Sequence, residues 1–504
     1  HANPMPAGLE PLPPPPPPQR PCSNQSRRAV LRGELWKKNS WLGQDVFAAK
    51  YGKMGVSPFT FFRGAAHMYY KDLADKRWLE HNQFDGAAGS AWIQGDMHFE
   101  NFGIFHDSTG EIVLDLNDFD EGYVASYLYD LYRFATSAVL VARENKQWTN
   151  ESLRAIVTDG VVSGYLKALE AIGNDPSLVG TKVTSGTAEA GTPWQKMLQD
   201  TVQGESREIM LGEWTHMVNG SSMLYLNGKK SDKLGEVQES VKLQIAQQVE
   251  SYIPMQGALN GAGSSFFSVK DVAKSIDAGT GSLGTPRFHV LVEGPTDAPN
   301  DDVLLDVKEQ SWPAMHEYVP QEVSARMTSL FSEDQQAVRV ATAQMALAKN
   351  SDLTLGYLRV DGKPYSVRQR SPWKEDACDL TKLRTPELLT QYSAFLAGIM
   401  AKAHSRSSTE SAAVQRDFAA AMIKMFSDGE FAAQFREHVL ERAVTYADQT
   451  EEDHSCFLEL VSSGEAFELG PAPAPAPQPK CKRVSKAVAE RVRAVPCPCD
   501  DICM

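Results

Sequence analysis

The sequence predicts an α+β protein with a large helical lobe and a small antiparallel β lobe. Residues 126–144 and 386–405 place apolar side chains at helical spacing, early and late in the chain. Between them, residues 266–310 and 355–370 alternate apolar and polar side chains, a pattern typical of a twisted antiparallel sheet. A length of 504 residues with 42% hydrophobic content is enough for one large core or two smaller ones.

The remaining elements follow from the same patterns. A helix is expected over residues 57–74, and the hairpin over 355–370 is expected to turn on Asp361-Gly362, a dipeptide that favours tight turns. Other apolar runs predict short strands at 90–94 and 111–116 and helices at 151–172, within 194–250, at 332–348 and up to about 461.

Both ends of the chain are predicted to lie outside the packed fold. Residues 1–29 form a Pro-rich arm that is expected to be disordered, and residues 467–504 form a Pro/Ala linker followed by a basic tail. Of seven cysteines, five flank the core, namely Cys22, Cys481, Cys497, Cys499 and Cys503. Because no His lies near the tail cysteines, disulfides that staple the chain ends are expected rather than a metal site.

Composition limits the compartment and the partners. Three Asn-x-Ser sequons, at Asn24, Asn150 and Asn219, favour a secreted glycoprotein, with a cytoplasmic protein as the alternative. The formal net charge of −14 argues against nucleic acid, since phosphate contacts need clustered Lys and Arg. No apolar run approaches the length that crosses a bilayer, so no membrane span is expected.

The residues from Gln94 to Asp130 contain the first chemical motif. Asp96 and Asn101 share a Gly-Asp-x-His-x-x-Asn frame, and Asp118 follows a predicted strand. Phosphoryl transfer needs a carboxylate that accepts a proton, together with Asn and Asp oxygens that hold a divalent metal. Asp96 is therefore the candidate base, and the candidate metal ligands are Asn101, Asp118 and Asp120, with Glu121 beside them. The alternative is an Asp that caps a turn, followed by an acidic loop that binds nothing.

A second motif lies in the β-rich region. Gly279, Gly281, Ser282 and Gly284 form a Gly-rich loop, and the apolar strand that follows carries Lys308. The backbone of such a loop can close over phosphates, and a Lys within an apolar strand requires an anionic partner. The alternative is a flexible hairpin that binds no ligand.

Two later segments have both a structural and a functional interpretation. The segment that ends at His404 and Arg406 is either an amphipathic core helix or the counterpart of the helix that, in kinases, lies just before the catalytic loop. Arg368, after a predicted strand, either caps the strand or contacts phosphate.

Eight sequence blocks, taken together, resemble the DUF2252 family from about residue 50 to about residue 445. They are Phe59 to Gly64, GDMHFENFG, DLNDFDEG, YDLYRFATS, GTGSLGTPRF, DVKEQS, YSVRQ and AGIMAKAHSRS. The catalytic blocks also resemble those of the aminoglycoside phosphotransferase and choline kinase group, whose frame fits Asp118 and Asp130 better than Asp115. Gln94 departs from that pattern, which has His at this position.

The order of the motifs differs from that of ordinary kinases, in which the Gly-rich loop and Lys precede the catalytic loop. The resemblance therefore implies a circularly permuted, protein-kinase-like two-lobe fold. Residues 30–260 would supply the catalytic half of the large lobe, 261–375 the small nucleotide-binding lobe, and 376–466 the remaining helices.

The function implied is an ATP-dependent phosphotransferase that uses Mg²⁺ or Mn²⁺ on an unknown small-molecule or protein acceptor. AMP transfer to protein and a nucleotide-binding protein without catalysis remain alternatives. Gly279, Gly281, Ser282, Gly284, Lys308 and Arg368 are the expected nucleotide contacts. The partner of Lys308 stays open: the predicted helix over 332–348 offers Glu333 and the uncharged Gln344, and Glu309 or Glu322 are the alternatives.

Overall fold

The computed structural model has the mixed α+β architecture with small antiparallel sheets that the sequence predicts. It describes residues 22, 24–86, 89–146, 149–226, 233–250, 252, 255, 267–276, 279–373, 375–376, 380–410 and 417–466. Residues 1–21 of the predicted arm and the whole tail, with its four cysteines, lie outside the described residues.

The α-helices of the described residues are numbered α1 to α15 in chain order. They are Gln25–Asn39, Gln44–Met54, Pro58–Gly64, Ala66–Asp75, Tyr127–Glu144, Asn150–Ala155, Ser163–Asn174, Pro193–Gly204, Arg207–Trp214, Glu239–Glu250, Gln321–Leu330, Gln336–Leu347, Pro386–Glu410, Phe418–Met425 and Gly429–Ser462. A π-helical segment, Ile156–Val162, joins α6 to α7. Among these helices, none is long and apolar enough to cross a bilayer.

The strands of the described residues are numbered β1 to β13. They are Ser90–Ile93, Phe102–His106, Ile112–Leu116, Tyr123–Ser126, Thr215–Val218, Ser221–Leu224, Leu234–Gly235, Val269–Ser275, Arg287–Val292, Val303–Glu309, Gly356–Val360, Lys363–Gln369 and Glu375–Asp376. The largest sheet has the antiparallel order β11-β12-β10-β9-β8-β7. β7 and the helix α10, which packs on this sheet, precede the predicted lobe boundary at residue 261.

The helical core is built around α5. Ser126 caps this helix by accepting from Leu128 N, and every residue from Tyr127 to Ala142 is buried. The helix contacts α13 and α15, which come after the β-rich region in the chain. Helices from both sides of the β-rich region therefore form one core.

Two local predictions differ from the structure. The single helix expected over 57–74 is divided into α3 and α4 at Ala65, whose φ of −122° and ψ of 39° are not helical. Residues 194–250, expected to be helical, also contain the β5-β6 hairpin. That hairpin turns on Asn219 and Gly220, both with positive φ, as tight hairpin turns require.

A disulfide joins the first helical segment to the last helix. Cys22 bonds to Cys456 of α15 with a Cα–Cα distance of 4.7 Å. The expectation of stapled chain ends is met by this bond, but Cys456 was not among the cysteines expected to form it. Nearby, the Arg27 guanidinium donates to Asp72 and Asp453 and holds α1 against α15.

Removing the disulfide is expected to destabilise the protein. The combined Cys22→Ser and Cys456→Ser replacement should lower the free energy of unfolding by about 2–5 kcal/mol, because the bond closes a very long loop in the unfolded chain. Urea unfolding measures this loss. Reductant should reproduce it in the wild-type protein and change nothing in the double variant; equal stability of the two oxidised proteins would contradict the assignment.

Candidate active site

The turn that carries Asp96 is fixed by a buried carboxylate. β1 leads into this turn, and Asp130 at the start of α5 accepts from Gln94 N at 2.7 Å and Gly95 N at 2.8 Å. Gly95 has a φ of +84°, and a Cβ there would lie 2.2 Å from the Glu121 carbonyl oxygen. Only glycine meets both conditions without strain, so any other residue at position 95 would displace the turn or the Glu121 backbone.

Helix α13 supports this turn from behind. His404 Nε2 lies 3.2 Å from the Asp130 carboxylate, and its Nδ1 lies 2.7 Å from the Tyr165 hydroxyl. Arg406 donates to both oxygens of Asp115, at 2.9 and 3.0 Å, and both residues are buried. His404 and Arg406 therefore lie behind the first motif, in a helix that also belongs to the hydrophobic core, and Asp115 is the buried partner of Arg406.

Breaking the Arg406 pair is expected to cost much stability. Arg406→Leu leaves a buried carboxylate without its guanidinium, which should cost about 3–5 kcal/mol. The double variant Arg406→Leu/Asp115→Leu should recover much of that loss, because neither charge then remains buried. Urea unfolding of both single variants and the double variant measures this coupling, and strictly additive losses would contradict it.

Asp96 is held by a buried arginine of α5. Its Oδ1 accepts from Arg133 Nε at 2.6 Å, and Oδ2 lies 3.8 Å from His98 Nε2. The Arg133 guanidinium carbon lies 4.0 Å from the ring centre of Phe62 and 4.8 Å from that of Tyr69. Burial, opposed by the charge of Arg133, raises the pKa of Asp96 to about 7. Asp96 thus has one fixed oxygen and a pKa suited to proton transfer near neutral pH.

The β2-β3 hairpin brings Asn101 beside the second acidic cluster. Phe102 pairs with Leu116, and Asn117 N donates to Asn101 O at 3.1 Å. Asn101 Nδ2 donates to the Asp96 carbonyl oxygen at 2.7 Å, which leaves its side-chain oxygen available. An Asn oxygen and the half-buried Asp118 carboxylate are hard donors of the kind Mg²⁺ and Mn²⁺ prefer, so these two residues fit the metal that the sequence predicts.

Lys308 of β10 is paired with Asp120. The Lys308 ammonium contacts Asp120 Oδ2, and Gln310 Nε2 donates to Asp120 Oδ1 at 2.9 Å. Burial tends to raise the pKa of Asp120, but the charge of Lys308 and the hydrogen bonds from Lys308 and Gln310 together lower this pKa below its usual value. The carboxylate beside Lys308 is therefore Asp120 and none of the acids considered from the sequence. That Asp120 also binds a metal stays a prediction.

Arg339 of α12 fixes the loop that carries the acidic cluster. Its fully buried guanidinium donates to the carbonyl oxygens of Asp120 at 2.8 Å, Gly122 at 2.5 Å and Ser311 at 3.0 Å. Glu121 Oε2 in the same loop accepts from Ala314 N at 2.6 Å. The Glu121 carboxylate and Arg339 therefore both hold this loop against the segment that follows β10.

The Gly-rich loop lies against the first helices. The buried ammonium of Lys50 in α2 donates to Gly281 O at 2.9 Å, and burial lowers the pKa of this lysine to about 8. Gly284 has a φ of +93°, and a Cβ there would lie 2.3 Å from Leu42. The loop position is therefore set by α2 and by the segment between α1 and α2, which precede the Asp96 turn in sequence.

One polar cavity of about 390 Å³ connects the two motifs. The sequence-predicted residues that line it are Asn101, Asp118, Asp120, Gly279, Ser282, Lys308 and Arg368. Asp96, Gly281 and Gly284 lie outside this lining. Lysine and arginine outnumber acids in the lining: Lys53, Arg63, Lys233, Arg287, Lys308, Arg368 and Arg370 against Glu100, Asp118, Asp120 and Asp306. A cavity of this size and charge suits an anionic ligand.

Pairing between neighbouring strands positions two of the arginines that line the cavity. Asp306 of β10 lies opposite Arg368 of β12, and the Arg287 guanidinium of β9 binds the Asp306 carboxylate. Burial tends to raise the pKa of Asp306, but the charge and hydrogen bonds of Arg287, together with the charge of Arg368, hold this pKa well below its usual range. Arg368 NH1 donates to Asn117 O at 2.9 Å, so this arginine connects the sheet to the acidic loop.

Sequence reasoning missed Arg133, Arg287 and Arg339. Each is a buried or half-buried arginine whose partner lies on another element. The available signal was a charged residue within an otherwise apolar segment, which requires a partner.

The comparisons with known proteins identify a family. The family model described as "Uncharacterized protein conserved in bacteria (DUF2252)" matches residues 43–460, which is more than half of the chain. A search of curated proteins found no match, and neither did a search of solved structures. The chain belongs to the DUF2252 family.

Proposed function

We propose that this protein is a kinase-like phosphotransferase that uses ATP and a divalent metal to modify an acceptor. The observation that carries the proposal is the cavity lined both by Asn101 and Asp118 and by Ser282 and Lys308. These residues come from distant parts of the sequence, and their chemistry is complementary: oxygen donors for a cation on one side, and an ammonium with a loop backbone for phosphates on the other.

A circularly permuted two-lobe arrangement is part of the proposal. The six-stranded sheet with α10 corresponds to a small lobe, and helices encoded before and after it correspond to a large lobe. Contacts of α5 with α13 and α15 support this, because a permuted chain must complete its large lobe after the small one.

Residues on both sides of the cavity have roles in this proposal. Lys308 and Arg368 bind the nucleotide phosphates, and the loop from Gly279 to Gly284 covers them with backbone N–H groups. The apolar side chains of the lining, among them Leu355 and Val367, suit the flat faces of a purine. Asn101 and Asp118 would hold the metal, which when bound neutralises charge on the phosphates.

Asp96 is the proposed base. Its free oxygen accepts the proton of an acceptor hydroxyl as the hydroxyl oxygen bonds to the γ-phosphorus, the bond to the bridging oxygen breaks, and ADP leaves. Arg133 acts through Asp96: it fixes one carboxylate oxygen and so orients the other.

The position of the ATP isotope label distinguishes the proposal from its alternatives. The protein is incubated with Mg²⁺ or Mn²⁺, a panel of hydroxyl-bearing small molecules and protein acceptors, and ATP labelled on either the γ- or the α-phosphate. Transfer of the γ label alone is expected. Transfer of the α label would show AMP transfer instead, and the absence of both nucleotide binding and transfer would favour a binding protein without catalysis.

Export from the cytoplasm is the proposed localisation. The Cys22–Cys456 bond supports it, because disulfides persist in oxidising compartments. Mass analysis of protein isolated from its native cells, with thiols blocked at lysis, tests it: two free thiols at Cys22 and Cys456 would contradict it.

A further inference from the structure

Three carboxylates meet where β9 ends and β10 begins. Glu293 follows β9, Asp301 and Asp302 precede β10, and one carboxylate oxygen of each lies within 4.8 Å of the others. Lys308 is six residues farther along β10, which corresponds to roughly 20 Å of extended strand. The cluster is therefore separate from the cavity proposed to bind nucleotide.

Two oxygens of this cluster lack donors. The Asp302 side chain is fully buried; its Oδ1 accepts from Lys270 at 2.6 Å, while Oδ2 accepts from no residue that the structure describes. Asp301 Oδ2 accepts from Thr296 Oγ1 at 2.6 Å, while its buried Oδ1 likewise has no donor among the described residues. A buried carboxylate oxygen without a donor or cation is costly, so these atoms indicate a missing positive partner.

A glycine keeps the space around Asp301 open. A Cβ on Gly294 would lie 2.4 Å from Asp301 Oδ1 and 2.1 Å from Asp301 O. Any side chain at this position would therefore displace the oxygen that lacks a donor. The backbone at the end of β9 therefore lies directly against the Asp301 carboxylate, just before β10.

The nearby protein cations do not balance the cluster. Lys270 donates to Glu293 Oε1 at 2.9 Å and to Asp302 Oδ1, and Arg207 donates to the Asp301 carbonyl oxygen at 2.9 Å. Three carboxylates against these two cations leave one formal negative charge. An ion-pair cluster satisfied by Lys270 alone is the alternative reading, and it leaves the two oxygens without donors unexplained.

We propose that Glu293, Asp301 and Asp302 form a binding site for a hard divalent cation, specifically Ca²⁺. All three donors are carboxylate oxygens, which hard cations prefer over the nitrogen and sulfur donors typical of zinc and copper sites. Ca²⁺ fits better than Mg²⁺ because it accepts irregular sets of oxygens, whereas Mg²⁺ demands near-octahedral geometry. A cation here would tie the ends of β9 and β10 together, next to the start of α9.

Equilibrium dialysis with radioactive Ca²⁺, without nucleotide, tests the site. One Ca²⁺ per chain is expected for the wild-type protein and for Asp118→Asn, and at least ten-fold weaker binding is expected for Asp301→Asn. Glu309→Gln, an acid at the opposite end of β10, is the matched control and should bind as the wild type does. Binding that is lost in Asp118→Asn but kept in Asp301→Asn would overturn the proposal, as would no binding at about 5 mM, beyond the weakest natural Ca²⁺ sites.

A lysine variant keeps the test decisive if the aspartate variants fold poorly. Lys270→Met removes the cation that competes for Glu293 and Asp302, so its Ca²⁺ affinity should rise, and Ca²⁺ should restore its melting temperature. A Lys270→Met protein that Ca²⁺ leaves unstabilised would show that Lys270 alone satisfies the cluster, which overturns the proposal.

Discussion

Asp118→Asn is expected to abolish the stabilisation that ATP gives in the presence of Mg²⁺ while leaving the fold intact. Asp118 is half-buried and lines the cavity. Asparagine has nearly the same shape but lacks the charge that a divalent cation requires. Ligand at a hundred times its Kd stabilises the folded state by about 2.7 kcal/mol, and the variant should lose all of this.

The measurement is a thermal-shift titration with ATP at fixed Mg²⁺. Asp334→Asn is the matched control, because Asp334 is an exposed acid outside the cavity that pairs with Arg359 on the surface. The control should shift as the wild type does. A full ATP and Mg²⁺ shift in Asp118→Asn would remove Asp118 from the proposed metal site.

Asp96→Asn is expected to lower the rate of phosphoryl transfer by about 10²–10⁴-fold, the usual contribution of a positioned base. Nucleotide binding should persist, since Asp96 lies outside the residues that line the cavity. The variant also deprives the buried Arg133 of its counter-charge, so some loss of stability is expected as well.

Transfer and binding are therefore measured separately, at temperatures where circular dichroism shows the variant to be folded. Single-turnover transfer of the γ label reports the chemical step, and equilibrium dialysis with ATP reports binding. Unchanged transfer in folded Asp96→Asn would exclude Asp96 as the base. Equal losses of binding and transfer would assign it a structural role.

The parts of the fold that local patterns determine were predictable from the sequence. The hairpin that turns on Asp361-Gly362 is confirmed, with both residues at positive φ as its turn type requires. The helix over 126–144 is confirmed because its apolar face is broad and Ser126 is a favourable cap. The same turn chemistry at Asn219-Gly220 was present in the sequence but was overlooked within an otherwise helical region.

Local sequence patterns could not identify which residues pair when they are far apart in the chain. The partners Asp120 and Lys308 are 188 residues apart, and Cys22 and Cys456 are 434 apart. Periodicity and turn signals describe neighbours along the chain, so they indicate that a buried lysine needs an acid but not which one. The sequence indicated that the Asp96 motif and the Gly-rich loop, although far apart in the chain, belong to one predicted site. It did not indicate the packing of α5 against α13 and α15.

We propose above all that the residues around Asp118 and the strand that carries Lys308 form one nucleotide site. Isothermal titration of ATP with Mg²⁺ tests it most directly, on the wild type, Asp118→Asn, Lys308→Met and the control Lys363→Met, whose lysine is exposed on the neighbouring strand. Binding by the wild type and Lys363→Met, with loss in both cavity variants, is the predicted result. Wild-type binding that survives in either cavity variant, or no binding in any protein, would contradict it.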